Sequence, residues 1–267
     1  MNTIRPTIRP SAVAGLFYPA RATELENLLS EQFESLPQNR HYHPKALIVP
    51  HAGYVYSGKV AAKAYQSLRH DAENIHRVVM IGPSHRVPFR GVAISSADYF
   101  ATPLGSIALD KAGIARLADI DGVQFLDTAH ENEHSLEVQL PFLQFVLDQF
   151  SILPIVTGDA SAELVAEVIA SAVDGADDTL IVISSDLSHY LDYESARRID
   201  QFTTQAIISL DKHDIDLYRA CGCVGIRGFL AYARQQQLHG KVLSLCNSGD
   251  TAGKKDSVVG YGAYVFE

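Results

Sequence analysis

Short, mostly apolar runs recur along this chain at Ala46–Val49, Val78–Ile81, Val92–Ser95, Ile152–Val156, Leu180–Ile183, Val242–Leu245 and Val258–Phe266, each with the composition of a strand. Most of the intervals between them carry apolar residues at helical spacing: Lys59–Leu68, Lys111–Ala118, Leu136–Gln149, Ala162–Ala172, Glu194–Ile208, Asp214–Ala220 and Gly228–Gln237. Apolar strands alternating with helices predict an α/β protein with a central, mainly parallel or mixed sheet flanked by helices. The final run alternates with Gly and Tyr and reads as an antiparallel edge strand. Near the start, Thr23-Glu24-Leu25-Glu26 has the form of a capping box with Thr23 as N-cap. It opens a helix to Phe33 with Leu25, Leu28, Leu29 and Phe33 on one face. Pro37–Pro44 is polar and His-rich and reads as a loop. No repeat, low-complexity tract or long Gly/Ser linker divides the chain, which reads as one domain over residues 1–267.

The residues that end these runs carry the chemistry. Ala46–Val49 runs into Pro50-His51, Val78–Ile81 into Gly82-Pro83-Ser84-His85, and Leu180–Ile183 into Ser184-Ser185-Asp186 with His189 three residues on. Val242–Leu245 ends on Cys246. In an open α/β sheet, ligands bind in the crevice outside the carboxyl ends of the strands. If the four runs are neighbouring parallel strands, His51, His85, Asp186, His189 and Cys246 converge on one crevice.

Composition narrows the partners. A formal net charge of −9 disfavours a non-specific grip on phosphates, so no nucleic-acid partner is expected. No apolar stretch approaches the ~18 residues of a membrane span, and Met1–Pro10 lacks the apolar core of a secretory signal. No membrane partner is expected. Three cysteines, an odd and low count, suit a reducing cytoplasm better than a disulfide framework.

Each motif has a chemical and a plain reading. His51, in Pro50-His51-Ala52-Gly53-Tyr54-Val55-Tyr56-Ser57-Gly58, offers an imidazole at a strand mouth; the plain reading is a tight turn whose histidine bonds a backbone carbonyl. No Lys-Ser/Thr follows Gly58, so a Walker phosphate loop is excluded. His85 repeats the placement, and imidazole is the commonest metal ligand near neutrality; its plain reading is a surface-loop histidine. Cys246 precedes the loop-like Asn247-Ser248-Gly249-Asp250, and its plain reading is a small buried hydrophobe. Two histidines and a cysteine suit zinc with an open position, and also copper. Cys221 and Cys223 are spaced more tightly than the usual C-x₂₋₄-C and read as structural or redox-incidental.

Asp186 and His189 put a carboxylate and an imidazole on one turn. Asp186 could orient a ligand or His189, and His189 could act as general acid or base; the plain reading is a capped helix N-terminus. His130-Glu131-x-x-His134 matches the zincin pattern literally but precedes the expected helix, and a metalloprotease would need a third ligand downstream. His134 and Glu137 therefore read as cleft residues, with Tyr54 and Ser84, rather than as primary ligands. A Ser-His-Asp hydrolase could draw on Ser84, Ser185 or Ser188, but no G-x-S-x-G elbow is present. A Cys246–His nucleophilic pair is the other hydrolytic option.

Taken together, Pro50-His51-Ala52-Gly53-Tyr54, Gly82-Pro83-Ser84-His85, Glu133-His134-Ser135-Leu136-Glu137, Ser184-Ser185-Asp186-Leu187-Ser188-His189 and the late Cys246 resemble the Memo family. Its bacterial and archaeal members are called AmmeMemoRadiSam system protein B. Arg9-Pro10, Ala12, Gly15 and Phe17-Tyr18-Pro19 look like that family's opening. The resemblance implies a fold similar to class III extradiol dioxygenases, the non-haem Fe(II) ring-cleaving enzymes. It implies His51, His85 and Cys246 as metal ligands, with Asp186 and His189 beside them and His189 in the place of the acid/base histidine. A cysteine departs from the dioxygenases' 2-His-1-carboxylate set and is itself oxidisable, which argues against ring cleavage. Iron or copper is the implied metal, and ligand chemistry allows zinc. The name of the bacterial branch implies a functional association with radical-SAM and AMMECR1-like proteins.

The leading expectation is a cytoplasmic, metal-binding redox protein, a non-haem, dioxygenase-like oxidoreductase acting on an unidentified small molecule or peptide. His189 would carry the proton and Asp186 would orient it. The alternatives are a non-enzymatic peptide-binding adaptor with a vestigial cleft, and a metal- or cysteine-dependent hydrolase.

Overall fold

A computed structural model of the chain describes residues 6–36 and 41–267. In chain order the strands are β1 (Ile8–Arg9), β2 (Ala46–Val49), β3 (Arg77–Pro83), β4 (Val92–Ile94), β5 (Tyr99–Thr102), β6 (Gly105–Ala108), β7 (Val123–Phe125), β8 (Ser151–Thr157), β9 (Thr179–Ser184), β10 (His189–Leu191), β11 (Gly240–Asn247) and β12 (Val258–Phe266). The α-helices are α1 (Ala22–Glu34), α2 (Tyr54–Gln66), α3 (Lys111–Leu117), α4 (Asp127–Glu131), α5 (Leu140–Val146), α6 (Ala162–Val173), α7 (Tyr193–Ile208) and α8 (Cys223–Gln235).

A nine-stranded mixed sheet organises the molecule, in the order β10-β12-β2-β9-β3-β8-β4-β7 with β11 paired to the other side of β12. Its centre, β2-β9-β3-β8, is parallel. Every residue of β2 and β9 is buried, as is all but the first of β3 and β8. Strands with no polar face can only lie under cover on both sides, which is why they read as continuous apolar runs. Helices α6 and α8 pack on each other and on β3, while α2 packs on β2, β11 and β12 with α1 and α5 against it. β1, β5 and β6 form a separate three-stranded sheet.

Several local expectations change. β12 is antiparallel as expected, but it lies inside the sheet between β2 and β11 rather than at an edge. Thr23 sits inside α1, whose N-cap is Arg21 without a side-chain cap. The expected helix Leu136–Gln149 is a 3₁₀ turn, Glu137–Gln139, followed by the short α5 with Pro141 in its first turn, where a missing N–H costs nothing. The stretch 214–220 is not a helix. Asp216 accepts hydrogen bonds from the Tyr218 and Arg219 amides and turns the chain instead. Part of the expected loop Pro37–Pro44 lies outside the described residues. Among those described, no helix is long and apolar enough to cross a membrane.

Candidate metal centre

Because β2, β3 and β9 run parallel and adjacent, their carboxyl ends meet at one end of the sheet, and a cavity of about 840 Å³ opens there. His51, Ser84, His85, His134, Asp186, His189 and Cys221 line it, with Phe17, Tyr56, Tyr190 and Leu217 toward its rim. Ligand atoms of His51, His85 and Cys221 lie within 4.8 Å of one another.

Hydrogen bonding fixes which nitrogen each ring turns inward. Ser184 Oγ spends its one proton on the Ser135 carbonyl (2.6 Å) and accepts from Gln139 Nε2 (2.9 Å). His51 Nδ1, 3.0 Å from that oxygen, must therefore carry the proton and donate. Its Nε2 is left bare, 3.1 Å from Cys221 Sγ. His85 Nδ1 likewise donates to Glu133 Oε1 at 2.9 Å, which leaves Nε2 as the ring atom toward the cavity. His189 Nδ1 donates to the Leu187 carbonyl at 2.8 Å. All three rings are thus held from behind through Nδ1 with Nε2 turned to the cavity, the nitrogen a metal would take.

Electrostatics keep the innermost ring, His51, neutral. Burial, and then the neighbouring rings of His85, His134 and His189, push the His51 pKa well below the usual range. Burial would raise Glu133, but the hydrogen bond and charge of His85, with backbone amides, bring it down to about 2, so it is a fixed carboxylate. Burial raises Asp186 to about 7 despite donation from the His51 and Ala52 amides. Burial, and then Asp186, raise the Cys221 thiol. A metal would have to displace its proton, as metals do at cysteine ligands.

The expected third ligand is corrected. Cys246 does not reach this cavity. β12 intervenes between β2 and β11, and Cys246, paired with Tyr261, faces a small separate cavity beside Arg197 and Asp200 of α7. Cys221, just ahead of α8, stands against His51 instead. The loop can come so close because Gly222 has no Cβ to strike the Ser184 carbonyl and Ser185. Cys223 is buried and does not line the cavity.

The other predicted residues divide. His134 lines the cavity, stacked on His85 with ring centres 4.5 Å apart and against Phe17 at 4.7 Å. Ser84 lines it too, its hydroxyl donating to the Val87 carbonyl at 2.6 Å. Tyr54 turns into the core against Phe142 and donates to the Val138 carbonyl, and Tyr56 takes the place at the cavity. Glu137 is not a cleft residue. Fully buried, it accepts from Arg9 Nη1, the Ala12 and Val13 amides and the Tyr18 hydroxyl. It thereby pins the segment that carries Phe17. His130 lies away from the cavity, with Nε2 on the Ala93 carbonyl, so the zincin-like spacing does not form a shared site. Glu133, which no local sequence signal marks out, is the residue that orients His85.

The family described as Memo-like protein matches residues 9–265. A MEMO1 family protein of Aquifex aeolicus is 35% identical over 97% of this chain and 99% of its own length. One from Methanosarcina barkeri is 38% identical over 97% of this chain and 100% of its own. An uncharacterized Escherichia coli K12 protein of known structure shares the fold at a TM-score of 0.51 and 12% identity, covering 82% of this chain and 98% of that one. With near-full-length agreement to these relatives and to the family as a whole, the chain belongs to the Memo-like family.

Proposed function

We propose that His51, His85 and Cys221 hold a single redox-active metal, iron or copper, and that the protein is a cytoplasmic, non-haem metal-dependent oxidoreductase acting on a small molecule or peptide. The carrying observation is the grouping itself: two imidazoles and a thiol, their ligand atoms within 4.8 Å of one another, at the end of a parallel sheet. Three protein donors leave positions open for an occupant, and a mixed nitrogen and sulfur set suits copper, iron or zinc.

Bound there, the metal would supply electron transfer and polarisation of a bound oxygen atom. The chain supplies the rest. Ser184 and Glu133 fix the ring orientations of His51 and His85. His189 presents a bare Nε2 to the cavity and can accept or return a proton. Asp186, buried and raised to about 7, sits on the His51 amide rather than on His189, so its part is to brace the metal-binding turn and hold a proton near neutrality. Metal analysis of protein purified without an affinity tag tests the reading. Near-stoichiometric iron or copper in the wild type, lost in His51→Ala, is the expected result. A wild type that stays empty after anaerobic addition of Fe(II) and Cu(I) would remove the basis for redox chemistry.

A further inference from the structure

Tyr190 adopts a backbone conformation that nothing in its own packing explains. Among the described residues, four other than glycine have positive φ: Asp174, Tyr190, Leu210 and Gln237. Asp174 is the C-cap of α6. Leu210 and Gln237 each lie two residues past a helix end, where the next amides return to Ala206 and Ala233 in the bonding pattern that ends helices. Tyr190, at φ +60°, ends no helix. It is the extra residue of a β-bulge: His189 faces Val259 and Leu191 faces Val258, which leaves Tyr190 without a partner on β12. The left-handed position of such a bulge is ordinarily glycine, and a bulky aromatic there is strained. Burial does not offset the strain, because the residue is 79% exposed.

The bulge does aim the ring. Tyr190 lines the cavity beside His189, the two rings edge-on with centres 5.7 Å apart. Bulges next to functional sites characteristically redirect a side chain, and strained residues persist where function holds them. Resting on the metal reading above, we infer that Tyr190 is a specificity-determining residue: a platform at the cavity mouth that selects occupants carrying a flat, apolar group next to the atoms that reach the metal.

Two hydroxamates with the same metal-binding head separate this from the metal reading. Zinc-loaded protein is titrated calorimetrically with acetohydroxamate and with benzohydroxamate. The wild type should bind benzohydroxamate more tightly, and the preference should fall about fivefold in Tyr190→Gly, the span of one aromatic contact. It should survive in Tyr190→Phe. Tyr190→Gly should also melt no lower than the wild type, because glycine relieves the strain. A preference unchanged in Tyr190→Gly overturns the inference while leaving the metal reading intact. A markedly lower melting temperature for that variant also overturns it, by making the ring a structural element. A wild type that retains neither zinc nor, after anaerobic addition, Fe(II) or Cu(I), and binds neither compound, overturns the metal reading, and the inference with it.

Discussion

Glu133 decides which nitrogen His85 presents to the cavity. Its carboxylate accepts from the His85 ring and from the His85, His134 and Ser135 amides, so one side chain sets both a tautomer and a turn. Glu133→Gln keeps the shape but loses the charge and part of the accepting capacity. Metal affinity, measured by chelator competition, should fall about 10- to 100-fold. His130 shows the opposite device, a neutral imidazole sealed in the core. Burial, and then the nearby Arg9, lower its pKa to about 4, and its Nδ1 has no partner to receive a proton. With a folded value near 4 against 6.5 unfolded, the unfolded chain binds the extra proton first. Stability is therefore intact above pH 6.5 and falls as pH drops toward 4. Urea unfolding at pH 7 and pH 4 should show the wild type losing about 3 kcal/mol more than His130→Gln across that interval. Equal losses would place the acid sensitivity elsewhere.

At the scale of elements, the Arg9–Glu137 pair, 2.6 Å apart and buried on both sides, fastens the N-terminal segment over the site. Removing one partner strands the other charge, so Glu137→Ala should cost about 3–5 kcal/mol in unfolding experiments and speed proteolysis near residues 9–19. α8 offers a test where two effects oppose. Gly228→Ala gains about 1 kcal/mol of helix propensity, but its Cβ would press into Val165 and the Ala162 carbonyl. Overpacking of about 1–3 kcal/mol wins, and the melting temperature should drop. That same packing explains what sequence patterns missed. Gly225 lies against Ile81 of β3 and Gly228 against Val165 of α6. With glycines where these contacts fall, the start of α8 lacks an apolar helical pattern, and the expected helix begins at Gly228 where the structure begins it at Cys223, next to Cys221. The parallel strands were legible because burial on both faces leaves an unbroken apolar run. The small sheet of β1, β5 and β6, with Tyr99 and the residues at its Gly105 turn partly exposed, carries no such signature.

For the whole molecule, topology turns scattered residues into a site. His51, His85, Asp186 and His189 were legible because strand ends in a parallel sheet share one edge, and the positions after β2, β3 and β9 follow from that rule alone. Cys246 looked equivalent because its strand also ends in a polar loop. Only the global strand order reveals that β12 separates it from β2, and strand order is not written in local periodicity. Which of the two cysteines meets a metal beside His51 therefore follows from strand order. Apo-protein loaded anaerobically with Co(II) should show a thiolate-to-cobalt charge-transfer band in the near ultraviolet. The band is expected in the wild type and in Cys246→Ser and not in Cys221→Ser. A band that survives Cys221→Ser and disappears in Cys246→Ser, or a wild type that binds cobalt with no thiolate signature, would contradict the assignment of Cys221.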